Sequence, residues 1–189
     1  MTLELRADLR ACLTAEEGQF RRRADLIERE YDIEPTAERS GTPAVPDWIE
    51  PTGGRERELI QRLRRFDSVP LGLTLSGPAY QDNPIRYVNR TFTELTGYSR
   101  RTVRGENPRF LQGPETEPEA VADLHEAIDI WEATTVELWN YRADGSRFRN
   151  RVSVVPVEDD SGMITNWLGI QAAVDDVPAD SDAESRSTP

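Results

Sequence analysis

A short polar stretch carries the side chains that are best suited to binding a ligand. Within residues 105–113 it holds an amide at Asn107, a cation at Arg109 and a second amide at Gln112, next to the apolar Leu111. Polar groups this dense beside apolar ones favour a small, flat, polar-edged ligand held against an apolar wall. From these residues alone, the alternative is a helical turn that Asn107 caps, with Arg109 in solvent.

Three further amides fall on predicted strands towards the end of the chain. Side chains alternate between the two faces of a strand, which places Asn140, Asn150 and Gln171 on mostly apolar inner faces. A buried amide without a partner costs about 1–3 kcal/mol. Any one of them could be satisfied within a core, but together they favour a heteroaromatic ligand with alternating donors and acceptors. Gly169, on the face of Gln171, is expected to leave space for it.

The elements that position these residues indicate an α+β domain with helices on one face of an antiparallel sheet. Strands are predicted at 71–75, 85–88, 134–142, 146–157 and 163–173. Asn89 is predicted to cap a short helix that stops at Gly97. Thr116 is predicted to cap a longer helix that buries Val121, Leu124, Ile128 and Trp131.

The remaining chain is predicted to flank this domain. Residues 1–33 form amphipathic helices, 34–54 a Pro/Gly linker, 55–68 a helix beside the core, 69–174 the domain and 175–189 a disordered acidic tail. The outer sheet face is too apolar for solvent, with Trp139, Tyr141, Val155, Val157, Leu168 and Ile170. The helix at 55–66, a second subunit, or both are expected to cover it. The N-terminal helices are either a solvated cap or a dimerisation element.

Composition restricts the classes of partner and compartment. The net charge is −12, and this disfavours non-specific binding to nucleic acid or anionic membranes. Arginine is the only basic residue besides His125, which is typical of a salt-adapted, GC-rich microbe, so we hypothesise a halophilic source. The single Cys12 and the single His125 disfavour disulfides and metal centres. No membrane-spanning run or signal peptide is visible, which predicts a cytoplasmic protein.

Residues 70–174 resemble the light-oxygen-voltage (LOV) class of PAS domains, which bind flavin. The matching segments follow in order: Asp82 to Ile85, Phe92 to Ser99, Gly105 to Thr116, Asn140-Tyr141, Asp144-Gly145 and Gly169 to Gln171. The resemblance implies the PAS/LOV fold, with five antiparallel strands and helices on one face, plus an N-terminal helical extension. It implies FMN as the cofactor, with riboflavin as an alternative and FAD less favoured.

The resemblance also assigns roles within the site. It implies that Asn140 and Asn150 bind the pyrimidine edge of the flavin ring, while Gln171 contacts its O4 and N5. The ribityl chain is expected at Asn107 and Gln112, and the phosphate at Arg109. The complete predicted set is Thr74, Asn107, Arg109, Leu111, Gln112, His125, Leu138, Asn140, Asn150, Val152, Val154, Trp167, Gly169 and Gln171.

Two residues depart from the family pattern. Pro108 stands where the family has its photoactive cysteine, and Cys12 is distant in sequence, so no flavin–thiol adduct is expected. His125 stands where a second phosphate-binding arginine is frequent. Neutral histidine is a weaker anion partner than arginine, which lets riboflavin compete with FMN.

The resemblance therefore implies a cysteine-less flavoprotein that senses blue light, redox state or both, and is not an enzyme. Photoreduction to the neutral semiquinone would rearrange Gln171, with Trp167 either an electron donor or a bulky core residue. A homodimer through the N-terminal helices and outer sheet face is expected, together with a separate output protein. The alternative function is a PAS dimerisation or docking module in which flavin is structural or absent.

Overall fold

Five strands form one antiparallel sheet: β1 (Gly72–Ser76), β2 (Ile85–Val88), β3 (Thr134–Tyr141), β4 (Arg147–Glu158) and β5 (Ile164–Ala173). Their order across the sheet is β2-β1-β5-β4-β3. The structure is a computed structural model that describes residues 2–33, 53–159 and 161–174. Most of the predicted linker and the predicted tail from residue 175 onward lie outside the described residues. The five-stranded antiparallel fold predicted from the sequence is confirmed.

Helices cover both faces of the sheet. The inner face carries α4 (Arg90–Thr96), α5 (Arg100–Val103), α6 (Pro118–Asp129) and two short 3-10 helices, at Ala79–Gln81 and Pro108–Leu111. The outer face carries α1 (Thr2–Leu13), α2 (Glu17–Glu30) and α3 (Gly54–Arg65). None of the helices within the described ranges is long and apolar enough to cross a membrane.

The outer face is covered by the N-terminal helices of the same chain. Outward-facing residues of β4 and β5, such as Val155 and Ile170, share one buried apolar cluster with Leu9 of α1, Phe20 of α2 and Ile60 of α3. From the sequence, the helix at 55–66, a second subunit, or both were expected to cover this face. In the structure, α3 covers the central strands together with α1 and α2 of the same chain. On β3, Trp139 is half-buried, and the guanidinium groups of Arg147 and Arg149 lie over its ring.

A buried arginine joins the three N-terminal helices. Arg62 of α3 is 2 % exposed and donates to the carbonyls of Leu13 and Ala15 at the end of α1. It also pairs with Glu17 at the start of α2 and with Glu58 of its own helix. Guanidinium groups near helix C-termini satisfy carbonyls that have no partner within the helix. The cap is therefore held by specific polar bonds as well as by its apolar cluster.

Asn89 joins the first strand to the helix that follows β2. Its Oδ1 accepts from the backbone N–H of Phe92, as predicted for a helix cap, and also from that of Leu73, at 2.9 and 2.8 Å. Its Nδ2 donates to the carbonyls of Phe66 and Leu71, at 3.2 and 2.9 Å. The helix then ends at Thr96, before a left-handed Gly97, as expected from the sequence.

Two predictions about α6 are wrong. The residue that caps it is Glu117, whereas the Thr116 hydroxyl donates to the carbonyl of Trp139. Trp131 is 65 % exposed, because the chain turns with a positive φ of 58° immediately after the helix. The buried residue of the helix is Ala127. Val121, Leu124 and Ile128, which were predicted to be buried, are only partly buried, and Leu124 and Ile128 line the cavity described below.

We predict that Asn89→Ala lowers the free energy of unfolding by about 3 kcal/mol, because it leaves several buried backbone groups without partners. The matched control is Ser99→Ala, which removes only the exposed cap of α5 and should cost about 1 kcal/mol. Urea unfolding of both variants measures the difference. Equal losses would show that Asn89 acts only as a helix cap.

Candidate functional site

A cavity of about 440 Å³ lies between the inner face of the sheet and the helices that cover it. Pockets that hold small molecules are typically about 300–1,000 Å³. Pro108 lines the cavity, as does every residue of the predicted site except Asn150: Thr74, Asn107, Arg109, Leu111, Gln112, His125, Leu138, Asn140, Val152, Val154, Trp167, Gly169 and Gln171. Residues that are far apart in the sequence therefore meet in one place.

Strand register brings the sheet residues of the site together. Paired residues of neighbouring strands point to the same face. Val152 of β4 lies opposite Gln171, and Val154 lies opposite Gly169. On the other side of β4, Asn150 lies opposite Leu138 of β3. These residues therefore lie on the inner face of the sheet, as the alternation of side chains in the sequence predicted.

The three inward amides form one hydrogen-bonded group. The Nδ2 of Asn150 donates to Oδ1 of Asn140 and to Oε1 of Gln171, both at 2.8 Å. Asn150 itself is 0 % exposed and reaches the cavity only through these two neighbours. Its own Oδ1 is buried and has no hydrogen-bond partner among the residues that the structure describes. An orphaned buried acceptor is costly, so this end of the cavity suits a ligand that donates hydrogen bonds and lets the amides rearrange.

Thr74 fills the space that the sequence analysis left for a ligand at Gly169. The two residues are paired across β1 and β5, and a Cβ built at Gly169 would collide with the Thr74 hydroxyl. The glycine therefore makes room for the Thr74 side chain, and the space beside it is not open. A similar close contact occurs at Gly113, where an added Cβ would collide with the ring of Tyr141.

An ion pair that the sequence did not predict lies at one end of the cavity. The guanidinium of Arg109 bonds both carboxylate oxygens of Asp82, at 2.7 and 2.5 Å. Asn107 supports it by donating to the carbonyl of Asp82, at 2.6 Å, and by accepting from the N–H of Arg109. Arg109 lowers the pKa of the Asp82 carboxyl. Both side chains are largely exposed, so the pair is weak enough for a ligand anion to displace Asp82.

Sequence reasoning missed other residues that line the cavity. They are Ser76, Ala79, Asp82, Asn83, Phe92, Leu124, Ile128, Asp129 and Leu168. For Asp82 and Asn83, the residue types were an available signal, because Asp and Asn are the non-glycine residues that tolerate a positive φ. Both adopt it in the structure, at 66° and 46°. For Leu124 and Ile128, helical spacing indicated burial but not that the buried side would face a cavity.

The only cysteine is on the opposite side of the sheet from the cavity. Cys12 lies on α1, is buried in the outer apolar cluster, and burial raises the pKa of its thiol to about 12. Pro108 lines the cavity at the first position of its 3-10 helix, a position at which no backbone donor is needed. Trp167 lines the cavity and is almost fully buried.

Comparison with known families identifies the fold. The profile described as "PAS domain" matches residues 72–175, which is more than half of the chain. The chain belongs to the PAS domain family. The part of this PAS domain that forms the cavity lies within the matched range.

Curated relatives of this PAS domain include sensors and regulators. The "Bacterioopsin transcriptional activator" of Halobacterium salinarum is 40% identical over 119 residues, covering 63% of this chain and 18% of that protein. The "Blue-light-activated histidine kinase 1" of Erythrobacter litoralis is 42% identical over 110 residues, covering 58% of this chain and 31% of that protein. The chain thus spans less than a third of the length of these relatives.

Solved structures similar to this PAS domain are LOV domains. The LOV domain of the blue-light-activated histidine kinase EL346 from Erythrobacter litoralis has a TM-score of 0.53 at 43% identity, covering 56% of this chain and 96% of that one. A light-oxygen-voltage domain studied with a flavin analogue has a TM-score of 0.56 at 42% identity, covering 59% of this chain and 84% of that one. The structural neighbours of this PAS domain thus include light-oxygen-voltage domains, one of them from a blue-light-activated histidine kinase.

We predict that Gly169→Ala destabilises the protein by about 1–3 kcal/mol, because the added methyl group collides with the Thr74 hydroxyl. Combining it with Thr74→Ala removes that oxygen and should restore much of the loss. Thermal or urea unfolding of the two single variants and the double variant tests this. Simple addition of the two effects would contradict the contact.

Proposed function

We propose that this chain is a LOV-type flavoprotein that senses blue light, redox state or both, and that it does so without an adduct-forming cysteine. The observation that carries the proposal is the cavity itself. Its wall includes the amides of Asn140 and Gln171, which are bonded to the fully buried Asn150 with its orphaned oxygen, and Pro108 stands at the position of the family's cysteine. LOV domains among the neighbours support the same class of ligand.

The residues present fit a flavin ring. Asn140, Asn150 and Gln171 supply both donors and acceptors, which the polar edge of such a ring requires. Leu138, Val152, Val154 and Trp167 supply apolar walls. When bound, flavin supplies absorption of blue light and reversible one-electron chemistry. Trp167 is our candidate for the electron donor, since it is an oxidisable side chain that lines the cavity.

The amide group can pass on a change in protonation. Gln171 presents Oε1 to Asn150, so turning its amide by half a turn would present Nε2 instead. Two NH₂ groups cannot bond each other, and Asn150 would then have to turn its own amide. That turn would bring the orphaned Oδ1 of Asn150 into a bond with Gln171, and Asn140, whose Oδ1 accepts from the Nδ2 of Asn150, would have to turn as well. A signal that calls for an acceptor instead of a donor on the ligand side of Gln171 would therefore rearrange amides on β3, β4 and β5.

The opposite end of the cavity suits a phosphate. Arg109 is the cation that would bind it, by exchanging the exposed carboxylate of Asp82 for the phosphate. His125 and Asp129 also line the cavity but add no fixed positive charge. We therefore propose FMN as the cofactor, with riboflavin as a close competitor and FAD as the least suitable.

An interaction module remains the second candidate function. The observation in its favour is that Arg109 and the inward amides already have partners within the protein. In this case the PAS domain would dock a partner, and flavin would be structural or absent. For either function we propose a cytoplasmic, non-enzymatic sensor or docking unit, a homodimer involving the N-terminal helices, and output through a separate protein.

We predict that the purified protein, given FMN or riboflavin in high salt, shows the structured blue absorbance band of bound oxidised flavin. Blue light should bleach this band reversibly, with recovery in air, even when Cys12 is replaced by alanine. Asn150→Leu should weaken flavin binding about tenfold, through the loss of buried hydrogen bonds.

The matched control for Asn150→Leu is Asn166→Leu. Asn166 is an amide of β5 that is 2 % exposed, bonds the carbonyl of Ser76 and takes no part in the hydrogen bonds among Asn140, Asn150 and Gln171. Equal losses in the two variants would contradict a direct role for Asn150. A bound flavin that does not respond to light would leave a redox sensor. Failure to bind any flavin would leave the interaction module.

We predict that Arg109→Met weakens FMN binding about tenfold and leaves riboflavin binding nearly unchanged, because only FMN carries the phosphate. Fluorescence titration with both flavins measures the two affinities. Arg101→Met, at an exposed position of α5, is the control. Equal weakening for both flavins would mean that Arg109 acts by holding the fold of the cavity and not by binding phosphate.

A further inference from the structure

A buried arginine of α1 is bonded to the sheet on the side opposite the cavity. Arg6 is 7 % exposed. Its Nη1 donates to the Ser153 hydroxyl, at 3.0 Å, and to the carbonyl of Ile170, while its Nη2 donates to the carbonyl of Arg151, at 3.2 Å. One side chain of the N-terminal helix therefore bonds both β4 and β5.

The strand segment that Arg6 holds is the one that forms the cavity wall on its other face. Ser153 and Ile170 are paired across β4 and β5. The pair on one side of them is Val152 with Gln171. Side chains alternate along strands, so Gln171 points to the inner face of the sheet. Arg6 bonds the same stretch of backbone from the outer face. The carbonyl of Ile170, to which Arg6 donates, belongs to the peptide bond between Ile170 and Gln171.

The bonds of Arg6 depend on the position of the strand backbone. Burial lowers the pKa of its guanidinium, and the charge of Arg151 lowers it further. Within the part of the chain that the structure describes, none of the hydrogen bonds of Arg6 goes to a carboxylate. Its attractive partners are thus two carbonyls and a hydroxyl, and bonds to carbonyls weaken steeply when their geometry is disturbed.

Space for movement lies beside this contact. A second cavity, of about 350 Å³, separates part of α1 from β3 and β4, and Arg6 and Ser153 line it together with the small residues Ala7 and Ala11. The apolar side of α1 is therefore packed closely, and the side that carries Arg6, Ala7 and Ala11 is packed loosely. If β5 is displaced slightly, α1 therefore has space in which to move with it.

We propose that Arg6 is the positioning residue that couples Gln171 to α1, so that rearrangement of the inward amides loosens or shifts the N-terminal helix. The trigger rests on the proposed function, but the coupling itself does not. Arg6 does not line the inner cavity proposed for the ligand. Its role is to make the position of α1 depend on the backbone next to Gln171.

A double-mutant cycle tests the coupling without any flavin. Gln171→Leu and Arg6→Met are made singly and together, and amide hydrogen exchange is measured along α1. We expect Gln171→Leu to change exchange in α1 by about threefold or more when Arg6 is present, and by much less in the Arg6→Met background. Additive effects, or no effect of Gln171→Leu on α1, would overturn the proposal.

Matched variants separate coupling from loss of folding. Arg10, one turn along α1, is an exposed arginine that lines the second cavity but has no side-chain hydrogen bond to the described strands. Arg10→Met should therefore preserve the full response to Gln171→Leu. If Arg6→Met does not fold, Arg6→Gln replaces it in the cycle and should weaken the coupling, because the shorter side chain no longer reaches the carbonyls of both strands. A full response in Arg6→Gln would then overturn the proposal.

Loading with flavin adds the trigger. In the wild-type protein, blue light or dithionite should change exchange in α1, while Arg6→Met should lose most of that change and keep the same absorbance change. Failure to bind flavin would overturn the proposed function, and the double-mutant cycle without flavin would still test the coupling. Normal absorbance changes with an equal α1 response in Arg6→Met would defeat the coupling and leave the proposed function standing.

Discussion

Burial of both faces of β5 is the constraint on which the rest of the structure depends. Its residues alternate between two different interiors: Trp167, Gly169 and Gln171 face the cavity, while Leu168 and Ile170 join the apolar cluster under the N-terminal helices. Because neither side of the strand is open to solvent, a polar side chain on it must find its partner inside the protein. The inward amides and the N-terminal helices are both consequences of this burial.

The two interiors differ in how well they are filled. The outer one is closed by leucine, isoleucine and phenylalanine side chains and by the buried Arg62, except for the second cavity of about 350 Å³ beside Arg6. The inner one keeps a cavity of about 440 Å³ and a buried amide oxygen without a partner. Natural cores are close-packed, and orphaned polar atoms in them are few. The inner side, where the cavity is lined by inward amides, is therefore the side on which a ligand is expected. The outer side, which is apolar and closed apart from the second cavity beside Arg6, is suited to carrying its effects to the rest of the chain.

Much of this arrangement was accessible from local patterns. Asn89 as a cap, Gly97 as a helix end and the hairpin at Asp144-Gly145 follow from short-range chemistry, and strand alternation placed Asn140, Asn150 and Gln171 inward. Errors arose where several residues competed for a local role. Thr116 is a good cap by type, but its hydroxyl bonds Trp139 on β3. Trp131 is apolar and at helical spacing, but the chain leaves the helix before reaching it.

The sequence by itself determined the order of elements, the face on which each strand residue lies and the absence of a cysteine from the 105–113 stretch, because each of these depends on neighbours within a few residues. Only the tertiary structure decided that Asp82 pairs with Arg109, that Thr74 occupies the space beside Gly169 and that Arg6 reaches the carbonyl of Ile170. These contacts join residues that are 27, 95 and 164 positions apart, respectively. Strand register and helix packing select such partners, and no local pattern encodes either one.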